Sequence, residues 1–397
     1  MKPGSPLSYS IERLASMASL LILLAAWFLG GLRIADQQHQ QLASLLPASL
    51  SLQQTAADRF AVVTKDGQQH GWLTLGRGNG YGGTTTLASQ VSMSGQVQQL
   101  AVLGIKDTRS YVDKVVDAQL IQPLLGQPLS AAINIDAISG ATITSNALLH
   151  AVAAAHDNAR AALDGRPAPK VASSSMTLGW VDLLAVGLFV AAIGINRSRH
   201  RHKTRWQWAL MLTALISLGF LSAALFSSST LGMLIAADWL HGLGCYTPLL
   251  LLTLTLGYLL CFNRNLYCQS LCPFGTAQQC LGKLGGAKAA SPKHSLYRWF
   301  PRLLLLTALS LGLYYRNPAG FSYEPFAILF GFTGSLTLFA LTVVVLLTSL
   351  LIHRPWCKTL CPIGPLTEYL MFNKNWIRKT LKSRRRRARR IASRTLE

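Results

Sequence analysis

Four of the seven cysteines fall in two matching pairs, Cys268-Gln-Ser-Leu-Cys272-Pro273 and Cys357-Lys-Thr-Leu-Cys361-Pro362, offset by 89 residues. A step of four keeps both sulfurs of a pair on one helix face. Four converging thiols in a reducing compartment suit an iron–sulfur cluster or zinc. A metal-free motif that only shapes helix ends is the bland alternative. Disulfides are not expected on the cytoplasmic side, and the run of four closely spaced cysteines of a free-standing ferredoxin is absent. At the same offset the Leu- and Thr-rich runs 248–260 and 337–349 align. The chain thus carries an internal repeat of two hairpins, each ending in Cys-x-x-x-Cys-Pro. Cys245, Cys261 and Cys280 share no such pattern and read as packed thiols.

The second candidate is a hydroxyl. The segment Asp136-Ala137-Ile138-Ser139-Gly140-Ala141-Thr142-Ile143-Thr144-Ser145 leads a Thr through a Gly turn to a helix expected over 145–163, with Ser145 as its cap. Free N–H groups and partial positive charge at a helix N-terminus suit a phosphate, and a hydroxyl beside them can be esterified. A plain capped helix accounts for the same residues. Upstream, the Gly-rich run 76–83 reads as punctuation before strands over 84–93 and 97–105, joined by a Ser94-Gly95 turn. Residues 33–176 are therefore an α+β segment without cysteine, ending in a Pro- and Ser-rich linker over 167–175.

The run Asp136-x-x-Ser139-Gly140-Ala141-Thr142 resembles the attachment signature of FMN-binding domains, found in sodium-pumping quinone reductase and Rnf-type subunits and in NosR-type membrane proteins. The resemblance covers about residues 64–163 and takes in Gly80-Tyr81-Gly82-Gly83 and the Asp107-Thr108 pair. It implies that a flavin transferase links FMN through its phosphate to Thr142, with Thr144 a distant second. Asp136, Ser139, Gly140, Ala141, Tyr81, Gly82 and Thr108 are the implied surroundings. The FMN domain followed by two Cys-x-x-x-Cys-Pro motifs also resembles NosR and PceC, and NapH-type subunits share the membrane half. NosR and NapH add a cytoplasmic ferredoxin domain after the last span, whereas a basic tail follows Cys361 here. The shorter PceC-like pattern is the expected one.

The elements that must hold these residues are mostly apolar helices. Half of the 397 residues are hydrophobic and 13% are charged. Nearly uncharged runs cover 14–32, 178–196, 206–237, 246–263, 303–315 and 327–352, and a span needs about 20 such residues. The expected fold is an α-helical polytopic membrane protein of about six spans, with an α+β FMN-binding domain inserted between spans 1 and 2. The first run reads as an uncleaved anchor rather than a signal peptide. The expected boundaries are a cytoplasmic N-terminus over 1–13, the first helix over 14–32 and the external domain and linker over 33–176. A membrane module follows over 177–370, and a basic tail over 371–397.

The net charge of +22 could suggest nucleic acid, yet 26 of the 37 Lys and Arg residues lie before residue 14, in 197–205, in 264–302 and in 354–397. These are short loops and tails, where positive charge marks the cytoplasmic side. Both termini are expected in the cytoplasm of a bacterial inner-membrane protein, with 33–176 and the loop 316–324 in the periplasm. The Arg-rich stretch 384–390 suits anionic lipid; no aromatic platform accompanies it, and no nucleic-acid partner is expected.

The resulting expectation is electron transfer between the quinone pool, or a cytoplasmic donor, and a periplasmic redox partner. FMN, an iron–sulfur cluster and a quinone are the cofactors concerned. No catalytic side chain is singled out. A membrane redox sensor or maturation factor for a periplasmic reductase is the alternative, and a transporter ranks last. Asp238 and His241 invite a quinone or proton-path role, or else are solvated charges on an interfacial helix. No span carries paired histidines for haem. One difficulty stands out: thiols at the inner ends of spans and a flavin outside would be separated by roughly 30 Å of hydrocarbon.

Overall fold

The computed structural model describes residues 6–167, 169, 179–289 and 296–394. Most of the expected linker lies outside the described residues. The long helix α1 (Pro6–Ser44) leads into a five-stranded antiparallel meander: β1 (Leu50–Ala56), β2 (Arg59–Thr64), β3 (Gln69–Asn79), β4 (Thr84–Ser92) and β5 (Val97–Gly104). The β4–β5 hairpin closes at Gly95, whose N–H bonds the Ser92 carbonyl at 3.0 Å with φ +80°. After α2 (Arg109–Asp117), α3 (Thr142–Leu163) lies across β3 and β4.

That packing explains the glycines. A Cβ at Gly78 would sit 1.8 Å from the Ala147 carbonyl oxygen, and one at Gly76 would sit 1.9 Å from that of Ala151. Ala147, Ala151 and Ala155 are fully buried, so small residues on both sides let helix and strand backbones nearly touch. Residues 76–79 are therefore paired strand, with Gly76 opposite Leu87 and Gly78 opposite Thr85; only 80–83 is the turn that the Gly-rich run suggested. Glycine within a strand marks close backbone approach as readily as a turn. The helix also starts three residues earlier than its expected Ser145 cap. Ser145 lies inside α3, and its hydroxyl accepts from the Ile138 N–H at 3.2 Å, folding the preceding loop back onto the helix.

The rest is helical: α4 (Trp180–Arg197), α5 (Lys203–Ala214), α6 (Ser228–Ala236), α7 (Thr247–Phe262), α8 (Leu266–Ser270), α9 (Pro273–Leu284), α10 (Leu296–Tyr314), α11 (Phe326–Gly331), α12 (Leu336–Leu351), α13 (Pro355–Thr359) and α14 (Ile363–Arg394). Among the described residues, Tyr9–Ile34 within α1 and all of α4 are long and apolar enough to cross a membrane. A third candidate is the pair Thr247–Phe262 and Leu266–Leu284, bent by 108°. The run 206–237 is not one helix. It passes from α5 through a π-helical stretch, Leu215–Leu221, into an irregular segment and restarts at α6, where Ser227 accepts from the Thr230 N–H at 3.4 Å. Hydroxyls at Ser222, Ser227 and Ser229 supply local partners of the kind such a break needs. The run 327–352 breaks likewise between α11 and α12, at Phe332 with φ 51° and Gly334 with φ 159°.

Contacts sort the ends of the module. Arg298 pairs with Glu12, Ser16 Oγ donates to Asn373 Oδ1 at 2.9 Å, and Arg13 lies over the Trp376 ring. The starts of α1 and α10 thus share one end with α14. At the other end, Arg316 Nη2 donates to the Trp27 carbonyl at 2.9 Å, and the sheet domain docks. Lys106 Nζ meets Asp238 Oδ1 at 2.7 Å, Gly244 N–H donates to the Gly80 carbonyl at 2.9 Å, and Tyr81 Oη donates to the Leu225 carbonyl at 3.3 Å.

Overpacking the strand–helix contact tests this account. Gly78→Val should lower the stability of the sheet domain by about 1–3 kcal/mol. Gly104→Ala, where a Cβ meets nothing within 4 Å, should leave it near wild type. Proteolytic protection along a thermal ramp measures both.

Candidate cofactor sites

Thr142 is the first residue of α3, and Ala141 before it has no side-chain oxygen to cap the helix. The first-turn N–H groups therefore remain available to an anion. Gly140 makes the preceding turn with φ +76°. A Cβ on it would lie 2.9 Å from Lys114 Nζ, so a half-buried ammonium reaches the same turn from α2. Thr142 is exposed, whereas Thr144 is 2% exposed and donates to Asp107 Oδ2 at 2.6 Å. The second hydroxyl is thus already engaged.

Thr142 lines a cavity of about 390 Å³ between the sheet domain and the helical module, within the usual size of small-molecule sites. Tyr81, Thr108, Gly140 and Ala141 share the domain-side wall, together with Tyr111, which sequence reading did not single out. Asp136 and Ser139 are exposed and lie off the cavity. Gly82 also lies off it, and its role is local: its N–H donates to Asp107 Oδ1 at 2.7 Å, and a Cβ there would strike the Lys106 carbonyl at 1.9 Å. Asp107 joins the Gly80–Gly83 turn to the start of α3 and so fixes where Thr142 stands. The opposite wall comes from the breaks in the module: Phe220, Ser227, Ser229, Glu324, Phe326 and their neighbours. One signal for it was in the chain, since Glu324 is the sole acidic residue between Asp238 and Glu368. Asp238 is neither solvated nor free; it is 5% exposed and clasps Lys106. The His241 side chain lies outside the described residues.

The second site gathers the thiols. Cys268, Cys272, Cys357 and Cys361 lie in one neighbourhood of the module, within electrostatic range of one another. The 89-residue repeat is visible in the elements: α12 and α13 begin and end 89 residues after α7 and α8. Each hairpin lends its last helix to the other, α9 packing on α12 and α14 on α7. Buried Gln278 links the two, donating to Cys357 Sγ at 3.5 Å and accepting from the Trp356 N–H at 3.1 Å. Arg354 Nη1 donates to the Cys268 carbonyl at 3.0 Å, and Gly275 N–H donates to Cys272 Sγ at 3.4 Å. Among the described residues, no three His, Cys, Asp or Glu side chains are gathered to hold a single metal ion.

The cysteine pairs are followed closely by residues packed in the middle of the module. Leu366, five residues after Cys361, packs against the same buried leucines, Leu231, Leu305 and Leu309, as Leu23, midway along the first apolar run. The sharp bend after α7 carries α8 back inward. Cavity-lining Phe326 contacts Phe274 with ring centroids 5.4 Å apart, and Phe274 contacts Trp356 at 5.8 Å. Phe226, flanked by cavity residues Leu225 and Ser227, contacts Tyr267 at 5.1 Å. Tyr267 and Trp356 immediately precede Cys268 and Cys357 and are equivalent in the repeat. Aromatic contacts thus lead from the cavity wall to the residues that precede both cysteine pairs.

Residues 80–157 match the FMN-binding domain family, and residues 244–292 and 334–384 both match the 4Fe-4S binding domain family. The regulatory protein NosR of Pseudomonas aeruginosa is 32% identical over 130 residues, 30% of this chain and 18% of that relative. The chain resembles NosR-type FMN/Fe–S membrane proteins. The matched stretch spans less than a fifth of NosR, and the two 4Fe-4S matches each enclose one cysteine pair. The residues present fit both groups. Uncapped amides, Lys114 and an exposed hydroxyl at a cavity mouth suit a flavin phosphate. Four thiols beside Arg354 suit an anionic cluster, and the buried Trp356 Nε1, a donor with no partner, suits its sulfur acceptors.

Burial holds the Asp107 carboxyl above the ordinary aspartate range, despite the hydrogen bonds from Gly82 and Thr144. A raised folded-state pKa contributes stability that is complete below the unfolded value and is lost as pH rises through the folded one. The melting-temperature advantage of wild type over Asp107→Asn should therefore narrow as pH rises from about 4 to about 7. A pH series of thermal unfolding curves measures it.

Proposed function

We propose that this chain is a transmembrane electron-transfer flavoprotein, with FMN tethered through its phosphate to Thr142 by a flavin transferase. Cys268, Cys272, Cys357 and Cys361 together hold an iron–sulfur cluster. The observation that carries this reading is the set of aromatic contacts, Phe326 to Phe274 to Trp356, that leads from the wall of the cavity at Thr142 to the residue preceding Cys357. When bound, FMN supplies two-electron chemistry divisible into single steps, and a cluster supplies single electrons. Thr142 anchors and Lys114 neutralises the phosphate, Tyr81 and Tyr111 wall the cavity, and Arg354 offsets the charge on the thiolates.

The topology proposed is an inner-membrane protein of about six crossing or re-entrant segments. Both termini are cytoplasmic, and the sheet domain is periplasmic. Two features support it: the basic ends of α1, α10 and α14 lie together, and the sheet domain docks at the opposite end beside Arg316. The chain would then join the quinone pool or a cytoplasmic donor to a periplasmic acceptor, in the manner of the shorter PceC-like pattern. A second reading, a membrane redox sensor or maturation factor, is favoured by the name of the relative, a regulatory protein. Sustained turnover with quinol supports electron transfer, whereas flavin that is reduced once without turnover supports the sensor.

In-gel flavin fluorescence after denaturing electrophoresis should show a band for wild type and Thr144→Ala and none for Thr142→Ala; a fluorescent Thr142→Ala band would defeat the attachment. Anaerobically purified protein should contain iron and labile sulfide, both falling to background in the Cys268→Ser/Cys357→Ser variant. Wild-type amounts in that variant would remove the four-thiol site.

A further inference from the structure

The wall that the helical module contributes to the cavity holds one buried acid. Glu324 is 6% exposed and lines the cavity just before α11. One carboxylate oxygen accepts from the Ser228 N–H at the start of α6, and the other accepts from Ser322 Oγ. The hydroxyls of Ser227 and Ser229, on the same wall, lie 2.6 Å apart. Among the described residues no Lys, Arg or His forms a salt bridge with Glu324. The other buried acids near this face are spoken for. Asp238 is paired with Lys106, and Asp182 accepts from Gly179 N–H and from Thr247 Oγ1.

A carboxylate buried without a cation is costly, and in a membrane module such a group marks proton or ligand handling. Here it faces the space beside Thr142, where a ring tethered to that hydroxyl must lie. We propose that Glu324 is the proton-exchanging residue of the flavin ring, so that the helical module, and not the FMN-binding domain alone, completes the flavin site. This rests on the attachment of FMN to Thr142. As the ring gains two electrons, the Glu324 carboxylate takes a proton from solvent hydronium and passes it to a ring nitrogen, ending as a carboxylate again. Oxidation of the ring returns the proton by the same route. The electrons come from one-electron carriers of the iron–sulfur class or, in the test, from dithionite. Ser322 and the α6 N-terminus hold the carboxylate in place.

The test compares purified full-length wild type, Glu324→Gln and Glu324→Asp, each checked for covalent flavin by in-gel fluorescence. Flavin reduction by dithionite is followed by stopped-flow absorbance in H₂O and in D₂O. The expected result is a flavin band in all three. In Glu324→Gln, reduction should slow by roughly 10²-fold and the solvent isotope effect should change, with substantial recovery in Glu324→Asp. A flavinylated Glu324→Gln protein with wild-type rate and isotope effect would overturn the role of Glu324 and leave the attachment standing. Wild type without a flavin band would overturn both. Should Glu324→Gln fail to carry flavin, Glu324→Asp decides: flavinylated but slowed supports the role, flavinylated at wild-type rate overturns it, and no band overturns it as well.

Discussion

The seam between the sheet domain and the broken helices of the module is the contact on which the remaining arrangement depends. Its fixed point is the ion pair of Lys106 and Asp238, 2.7 Å apart with Asp238 nearly buried. A pair this sheltered adds little net stability, because desolvation consumes much of the Coulomb gain, yet losing one partner strands the other charge. Its value is in register. It sets Gly80 against Gly244 and Tyr81 against Leu225, and these contacts close the cavity over Thr142. Neither half lines that cavity alone.

The breaks in the apolar helices make the seam workable. Irregular backbone within a membrane is tolerated where it lines a cavity or is buried in protein, and Ser222, Ser227 and Ser229 supply partners there. The same breaks bring Phe326 and Phe226 inward to meet the aromatic residues that precede each cysteine pair. The repeat does a related job. With α9 and α14 exchanged between hairpins, the second cysteine of each pair is buried, and Gln278 ties the second pair to the first hairpin. Donors from Arg354, Gln278 and the Gly275 N–H stand around these cysteines, the kind of surroundings by which second-shell groups tune a metal site.

Much of this was legible along the chain. The Asp-x-x-Ser-Gly-Ala-Thr run located the hydroxyl, and the offset of 89 residues located four thiols and the hairpins that carry them. Strand-like runs around a Ser-Gly turn located β4 and β5. Other features were misread for physical reasons. The glycines of β3 looked like turn residues because their real partner, the alanine face of α3, lies some 70 residues onward. Apolar content marked where helices run but is silent on where they bend, so two runs expected as spans proved broken. Lys114, Tyr111 and Glu324 carry no motif of their own.

The amino-acid sequence by itself determined which atoms are available: a threonine after a glycine turn, four cysteines in register, apolar runs flanked by basic ends. These are local properties, set by residue type and short spacing. Tertiary structure alone decided which of those atoms meet. Whether Thr142 or Thr144 is open, whether thiols and cavity are distant or adjacent, and whether Glu324 faces solvent or a cofactor space all depend on backbones far apart in the chain. No short-range pattern encodes such distances, because they follow from how whole helices and a sheet fill space together.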